Sequence, residues 1–216
     1  AQPLKVKDLC VAHNGTISNV EELSNMVGGC SFSPQKSSDT LVAAQRLVSL
    51  ISEKGKFGDA LSVLRNEMIG SYCFTFLSDD TSVYAARDPR GFRPLVLGKK
   101  TDGGTLIVAS ESSALSAIGA DLVRDVTPGE LIKFSKNGVE SEMFSEEKQR
   151  AHCSFEFTYF AHPASTMEGS NIYLSRKKIG KFLAKKFPIK DADLVIPVPD
   201  SARPAALGYA QELGVS

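Results

Sequence analysis

Residues 11–19 read Val-Ala-His-Asn-Gly-Thr-Ile-Ser-Asn, so a β-branched approach runs into His13, Asn14 and Gly15 in succession. An asparagine carboxamide beside a glycine N–H offers two donors able to converge on one oxygen, and glycine lets the backbone come close to it. That is an oxyanion hole in outline, a device for stabilising the tetrahedral intermediate of acyl transfer. The same dipeptide is a common turn former, and both readings stand on local sequence. His13, at the end of a buried strand with nothing nearby to pair it with a nucleophile, reads as hydrogen-bonded scaffold.

The elements that must position these residues follow from periodicity. Residues 8–15 read as a strand ending in the Asn-Gly turn, and residues 18–27 as a helix with Ser18 or Asn19 as N-cap and acids in its first turn. Residues 37–55 give the clearest helix. Ser38 or Asp39 caps it, Leu41, Val42, Ala44, Leu47, Val48 and Ile51 recur at helical spacing, and Gly55 ends it. A shorter helical pattern precedes two alternating strands that flank Asp79-Asp80 as a hairpin turn, and further strands follow within 103–112, 129–138 and 139–145. The part up to Ser145 is thus expected to be α+β with mostly antiparallel strands. A charged stretch at 145–152 marks a boundary. Beyond it come a basic amphipathic helix (171–187), an apolar run (192–199) read as a buried strand, and a helix with Pro204 in its first turn.

Composition excludes more than it names. The 216 residues carry 25 Lys+Arg and 25 Asp+Glu, for a net charge of zero and a pI near 7.0, so no global field favours nucleic acid or an acidic membrane. The four cysteines, Cys10, Cys30, Cys73 and Cys153, form no CxxC pair, and no apolar run approaches the about 18 residues of a membrane span. A cytoplasmic protein is expected. The chain opens on Ala-Gln-Pro and stops at a helix end, which suggests an internal piece of a longer protein.

The strings at 12–23, 37–40, 70–77, 85–98, 108–115 and 124–134 together resemble, in wording and order, the class II glutamine amidotransferase domain. Residues 153–165 and 193–215 are similar to the amidophosphoribosyltransferase family within that superfamily. The resemblance implies an N-terminal-nucleophile αββα sandwich over residues 1–145, lacking its first part, and the start of an α/β phosphoribosyltransferase domain over 146–216. It implies the reaction of de novo purine biosynthesis in which glutamine, phosphoribosyl pyrophosphate and water give 5-phosphoribosylamine, glutamate and pyrophosphate, with ammonia passed between domains. In the family an N-terminal cysteine attacks the glutamine carboxamide with its own α-amine as base. By motif match Asn14 and Gly15 hold the oxyanion, and Asp39 holds the substrate α-ammonium, although capping is the plainer role of an acid at a helix start.

This sequence departs from the family at both ends. Neither Cys-Gly-Ile nor the Arg-containing glutamine motif is present, and Cys10, inside a strand pattern without a free α-amine, is no substitute. The chain by itself is therefore expected not to hydrolyse glutamine. The acidic, Thr-rich phosphate loop is absent too. What remains is Val198-Pro-Asp-Ser-Ala-Arg203, where the resemblance associates Ser201 with Mg²⁺ at a pyrophosphate-binding turn; Asp200 suits N-capping equally, and Arg203 is assigned no family role. Cys153 matches the first ligand of a [4Fe–4S] cluster in members that carry one, but cluster-free members have a cysteine there as well. Purine nucleotides as inhibitors and a homo-oligomer in full length complete the expectations. Residues 87–93 read as a hydrogen-bond and ion-pair clasp rather than a phosphate site, Ser110 and Glu111 as buried scaffold, and the 176–186 basic run as a solvated face. Against the enzyme stands a noncatalytic binding or assembly module that keeps part of a ligand pocket.

Overall fold

A computed structural model describes residues 1–27, 38–189 and 191–215, so Cys30 lies outside the described residues. In chain order come β1 (Leu4–Val6), β2 (Leu9–Ile17), α1 (Val20–Met26), α2 (Asp39–Lys54), α3 (Phe57–Glu67), β3 (Gly70–Ser78), β4 (Val83–Arg87), β5 (Val96–Lys100) and β6 (Leu106–Ala109). Then follow α4 (Ser112–Ala117), β7 (Ala120–Asp125), β8 (Glu130–Ser135), β9 (Gly138–Met143), a π-helical turn (Glu156–Phe160), β10 (Thr166–Met167), β11 (Ser170–Asn171), α5 (Ile172–Lys186) and α6 (Arg203–Leu213). Two compact units interleave along the chain: Ala1–Leu95 with Val126–His152, and Val96–Asp125 with Cys153–Ser216. Among the described residues no helix is long and apolar enough to cross a membrane.

The first unit is a six-stranded sheet in the order β1-β2-β3-β4-β8-β9, every neighbour antiparallel. Tyr72, Phe74 and Phe76, alternating along β3, share one buried cluster with Leu47 and Leu50 of α2 and Leu61 and Leu64 of α3. Each such fully buried side chain contributes roughly 1.5–3 kcal/mol. Helix α2 forms where its pattern predicts. The Ser38 hydroxyl accepts from the Leu41 N–H at 3.2 Å, and Gly55, left-handed at φ 74°, turns its N–H back to Ile51. Cap duty falls to Ser38, which leaves the Asp39 carboxylate for other partners.

One expectation changes here. Asn14 and Gly15 do not sit in a turn: β2 continues to Ile17, pairing Asn14 with Cys73, Gly15 with Tyr72 and Ile17 with Gly70. The glycine permits this. Gly15 has φ +156°, and a Cβ on it would collide with the Ser71 carbonyl and the His13 ring, so only glycine lets the two strands stay in register at this point.

The second unit holds a three-stranded antiparallel sheet, β6-β5-β7, and the pair α5 and α6. The two helices approach until a Cβ on Gly180 or Gly208 would strike the opposing backbone, at the carbonyls of Ala205 and Lys177 respectively. Three expectations change in this unit. Residues 192–199 form no strand; Leu194, Ile196 and Val198 are 58, 76 and 80 % exposed, because no described strand lies alongside and Pro197 and Pro199 have no N–H to give a ladder. Arg176, within the basic run, is buried and donates to the carbonyls of Phe157, Ala161 and Glu156. Ser110 is exposed, whereas Glu111 is scaffold as read: it accepts from the His162 N–H and the Ser165 hydroxyl, both at 2.7 Å.

Candidate functional site

The site grows from the parity of β2. In an antiparallel strand the N–H groups of alternate residues point to the same side. The His13 N–H reaches the Gln2 side-chain oxygen at 2.6 Å and the Ile17 N–H reaches Asp39 Oδ2 at 3.0 Å, so neither faces β3. Gly15, midway between them, therefore turns its N–H to the same edge, which β1, starting at Leu4 opposite Val11, does not reach. Two residues of strand separate the Gly15 and Ile17 amides, about 7 Å, the scale of one extended amino-acid side chain. A backbone N–H and a carboxylate thus flank a single edge. Asn14, next in the strand and half-buried, carries a carboxamide that, among the described residues, has no hydrogen-bond partner.

Asp39 opens α2 and ties it to β2. Its Oδ2 accepts from Ile17, and its Oδ1 accepts from the Thr40 N–H at 2.7 Å. Behind it lies His13, whose side chain is 1 % exposed and whose Nδ1 is 3.9 Å from Asp39 Oδ2. Nδ1 meets the Thr40 hydroxyl at 3.0 Å, Nε2 meets the Ser71 carbonyl at 3.4 Å, and the ring packs on Phe74 at 4.7 Å. Burial holds the imidazole below its ordinary pKa of 6.5, against the opposing pull of the Asp39 charge and of the bond to Ser71. His13 is therefore neutral at pH 7.

A stability prediction follows from that shift. The unfolded chain takes up the His13 proton first as pH falls, so the folded state loses stability from about pH 6.5 downward until the lowered folded pKa is passed. Asp88, raised by its own burial, acts in the opposite sense above its ordinary 3.8. His13→Phe should remove the His13 part of the acid-side slope, read as melting temperature against pH between 7 and 5. An unchanged slope would contradict the assignment.

Three of the four cysteines lie among the described residues. Cys10 lies in β2 between Lys5 and Leu77, four residues and so about 13 Å along the strand from Asn14. Cys73 stands directly opposite Asn14 but is buried, with its thiol donating to the carbonyls of Arg93 and Pro94. Neither has the free amine that the resemblance calls for. Ser201 occupies the turn before α6, whose N-cap is Ala202 and not Asp200; the Asp200 carboxylate instead pairs with Arg203 at 3.0 Å on the surface. Cys153 is half-buried, and the described residues contain no group of three or more His, Cys, Asp or Glu arranged to hold a metal.

The structure brings Gly15 and Asp39 to one edge of β2, with Asn14 the neighbouring residue of the same strand. Sequence reasoning missed Thr40 and Gln2, and it left His13 without partners. The signal for Thr40 was its place directly after an acid at a helix start, where a hydroxyl must find an acceptor.

A glutamine amidotransferase domain family model matches residues 1–117. The chain is 40 % identical over its whole length to the amidophosphoribosyltransferase of Archaeoglobus fulgidus, covering 47 % of that protein, and 36 % identical over 96 % of its length to that of Mycobacterium leprae, covering 37 %. Among solved structures it is similar to the glutamine phosphoribosylpyrophosphate amidotransferase from B. subtilis complexed with ADP and GMP, with a TM-score of 0.87, 35 % identity, and coverage of 99 % of this chain and 47 % of that one. The chain thus spans about half the length, or less, of these relatives.

Proposed function

Because the chain belongs to the glutamine amidotransferase family, we propose that it provides the glutamine-handling part of an amidophosphoribosyltransferase of purine biosynthesis. The complete protein converts glutamine, phosphoribosyl pyrophosphate and water to 5-phosphoribosylamine, glutamate and pyrophosphate. The observation that carries the reading is the open edge of β2, where the Gly15 N–H points to the same side as the Ile17 N–H that the Asp39 carboxylate accepts, with Asn14 next to it in the strand.

Asp39, fixed by two backbone N–H groups, receives the substrate α-ammonium through a charge-assisted hydrogen bond. The side-chain carboxamide then lies along the strand toward Gly15. An N-terminal cysteine thiolate outside these residues attacks the carboxamide carbon, and the oxyanion that forms is held by the Asn14 carboxamide and the Gly15 N–H. Collapse to the thioester releases ammonia, and water then releases glutamate. Residues 1–145 form the class II domain, as an αββα sandwich, and 146–216 begin the phosphoribosyltransferase domain that receives the ammonia.

In that second domain Ser201 is the residue of this chain that would meet Mg²⁺, which when bound neutralises charge on the pyrophosphate. The support for that role is its place in the turn before a helix; the neighbouring Asp200 carboxylate is paired with Arg203. A [4Fe–4S] cluster fits less well. Cys153 supplies one thiol, and the described residues place no further ligands with it, so no step is assigned to a cluster. Purine nucleotides as inhibitors, a cytoplasmic setting and a homo-oligomer in full length belong to the same proposal.

The test is ammonia release from glutamine by this chain and by the complete protein, with and without phosphoribosyl pyrophosphate. Ammonia from the complete protein alone supports the reading. Activity in the 216-residue chain would mean that the nucleophile lies within it, and inactivity of both would favour a binding or assembly module.

A further inference from the structure

We infer that His13 is a positioning residue for the glutamine site: its imidazole accepts the hydrogen bond of the Thr40 hydroxyl, so that the Asp39 carboxylate keeps its lone pairs for the substrate ammonium. The inference rests on the glutamine reading and goes beyond it.

The Ser71 carbonyl can only accept, so the ring nitrogen facing it, Nε2, carries the proton. In a neutral imidazole Nδ1 is then bare, and it accepts from the Thr40 hydroxyl 3.0 Å away. Thr40 has one hydroxyl proton and two acceptors within reach, His13 Nδ1 and Asp39 Oδ1, the latter at 3.3 Å. The shorter contact goes to His13. Without that acceptor the Thr40 proton turns to Asp39, occupying a lone pair where the substrate ammonium must bind. The same ring lies against Gly15, where an added Cβ would meet its Nε2, and bonds to Ser71, the residue paired with Thr16. One side chain therefore sets both the hydrogen-bonding state of Asp39 and the seat of Gly15. Its burial and its packing on Phe74 leave it no route to touch substrate itself.

The experiment uses the complete enzyme and compares glutamine-dependent with ammonia-dependent formation of 5-phosphoribosylamine. Ammonia bypasses the glutamine site, so its rate reports on the rest of the protein. His13→Phe keeps the ring and loses the acceptor; it should raise the KM for glutamine by about tenfold, the scale of one hydrogen bond to a charged group, while the ammonia-dependent rate stays. His13→Asn, whose side-chain oxygen replaces Nδ1 as acceptor, should restore part of the affinity. Thr40→Val, nearly isosteric and buried, removes the contested proton altogether. It should therefore leave the KM near that of wild type, and it serves as the second variant if His13→Phe does not fold. In the double variant His13→Phe/Thr40→Val the KM should fall back toward wild type, an outcome that a merely structural histidine would not give. An unchanged KM in His13→Phe, a parallel fall of both activities, or a large KM increase in Thr40→Val alone would each overturn the inference. A wild-type enzyme that uses ammonia but not glutamine would overturn the glutamine reading, and this role with it.

Discussion

Asn14→Ala lowers the glutamine-dependent kcat of the complete enzyme by about 10²–10³-fold, the effect of removing one oxyanion donor, and leaves ammonia-dependent synthesis unchanged. The carboxamide is half-buried on β2 and, among the described residues, is held by no other group. Its loss therefore removes a donor to the transition state without unsettling the strand. Steady-state kinetics with the two nitrogen donors would show it. A change confined to KM would mean that Asn14 binds ground-state glutamine and does not stabilise the oxyanion. Gly15→Ala is the harsher companion. Its Cβ would collide with the Ser71 carbonyl and the His13 ring, so the β2–β3 pairing must part beside the site and glutamine use is lost with it.

Arg87→Met is expected to cost about 3–5 kcal/mol of stability, the scale of breaking a buried charged network. The guanidinium is 2 % exposed and donates to the carbonyls of Arg93, Val126 and Gly91. These contacts join the point where the chain leaves the first unit, at Leu95, to the point where it returns, at Val126, and the Val126 N–H bonds to the Leu95 carbonyl beside them. Methionine fills the volume but leaves three carbonyls without that donor. Asp88 braces the same turn by accepting from the N–H groups of Arg90 and Phe92. Urea unfolding followed by circular dichroism measures the loss. Arg203→Ala, by contrast, should change the midpoint little, since its pair with Asp200 is exposed on both sides and surface pairs contribute at most about 1 kcal/mol. Equal effects from the two arginines would contradict this account of the clasp.

Much of the fold was legible because local chemistry agreed with tertiary need. Ser38 and Gly55 bracket α2 by capping, the apolar spacing between them gives its buried face, and Asp79-Asp80 turns β3 into β4. The clasp at 87–93 was legible for its residues but not for its bonds, since an arginine serving carbonyls looks in sequence like one serving carboxylates. The Asn-Gly pair misled in one respect. Its composition signals a turn, yet Gly15 sits within a ladder because Ser71 presses against it from β3, a residue 56 positions away. Residues 192–199 misled in the opposite way, since an apolar run specifies burial but cannot supply its own ladder partner. Arg176 shows the same limit. Its burial depends on three carbonyls at 156, 157 and 161, which no helical wheel displays. Of the candidate site, Asn14, Gly15 and Asp39 are named by the resemblance alone, whereas the direction of the Gly15 N–H follows from strand parity, which the partners of the His13 and Ile17 N–H groups display.

The most direct measurement is a structure of the complete protein bound covalently to a glutamine-derived electrophile. The account predicts the adduct oxygen within hydrogen-bond distance of the Asn14 carboxamide nitrogen and the Gly15 N–H, with the α-ammonium on Asp39. An adduct whose oxygen faces other donors, or whose ammonium lies away from Asp39, would contradict it.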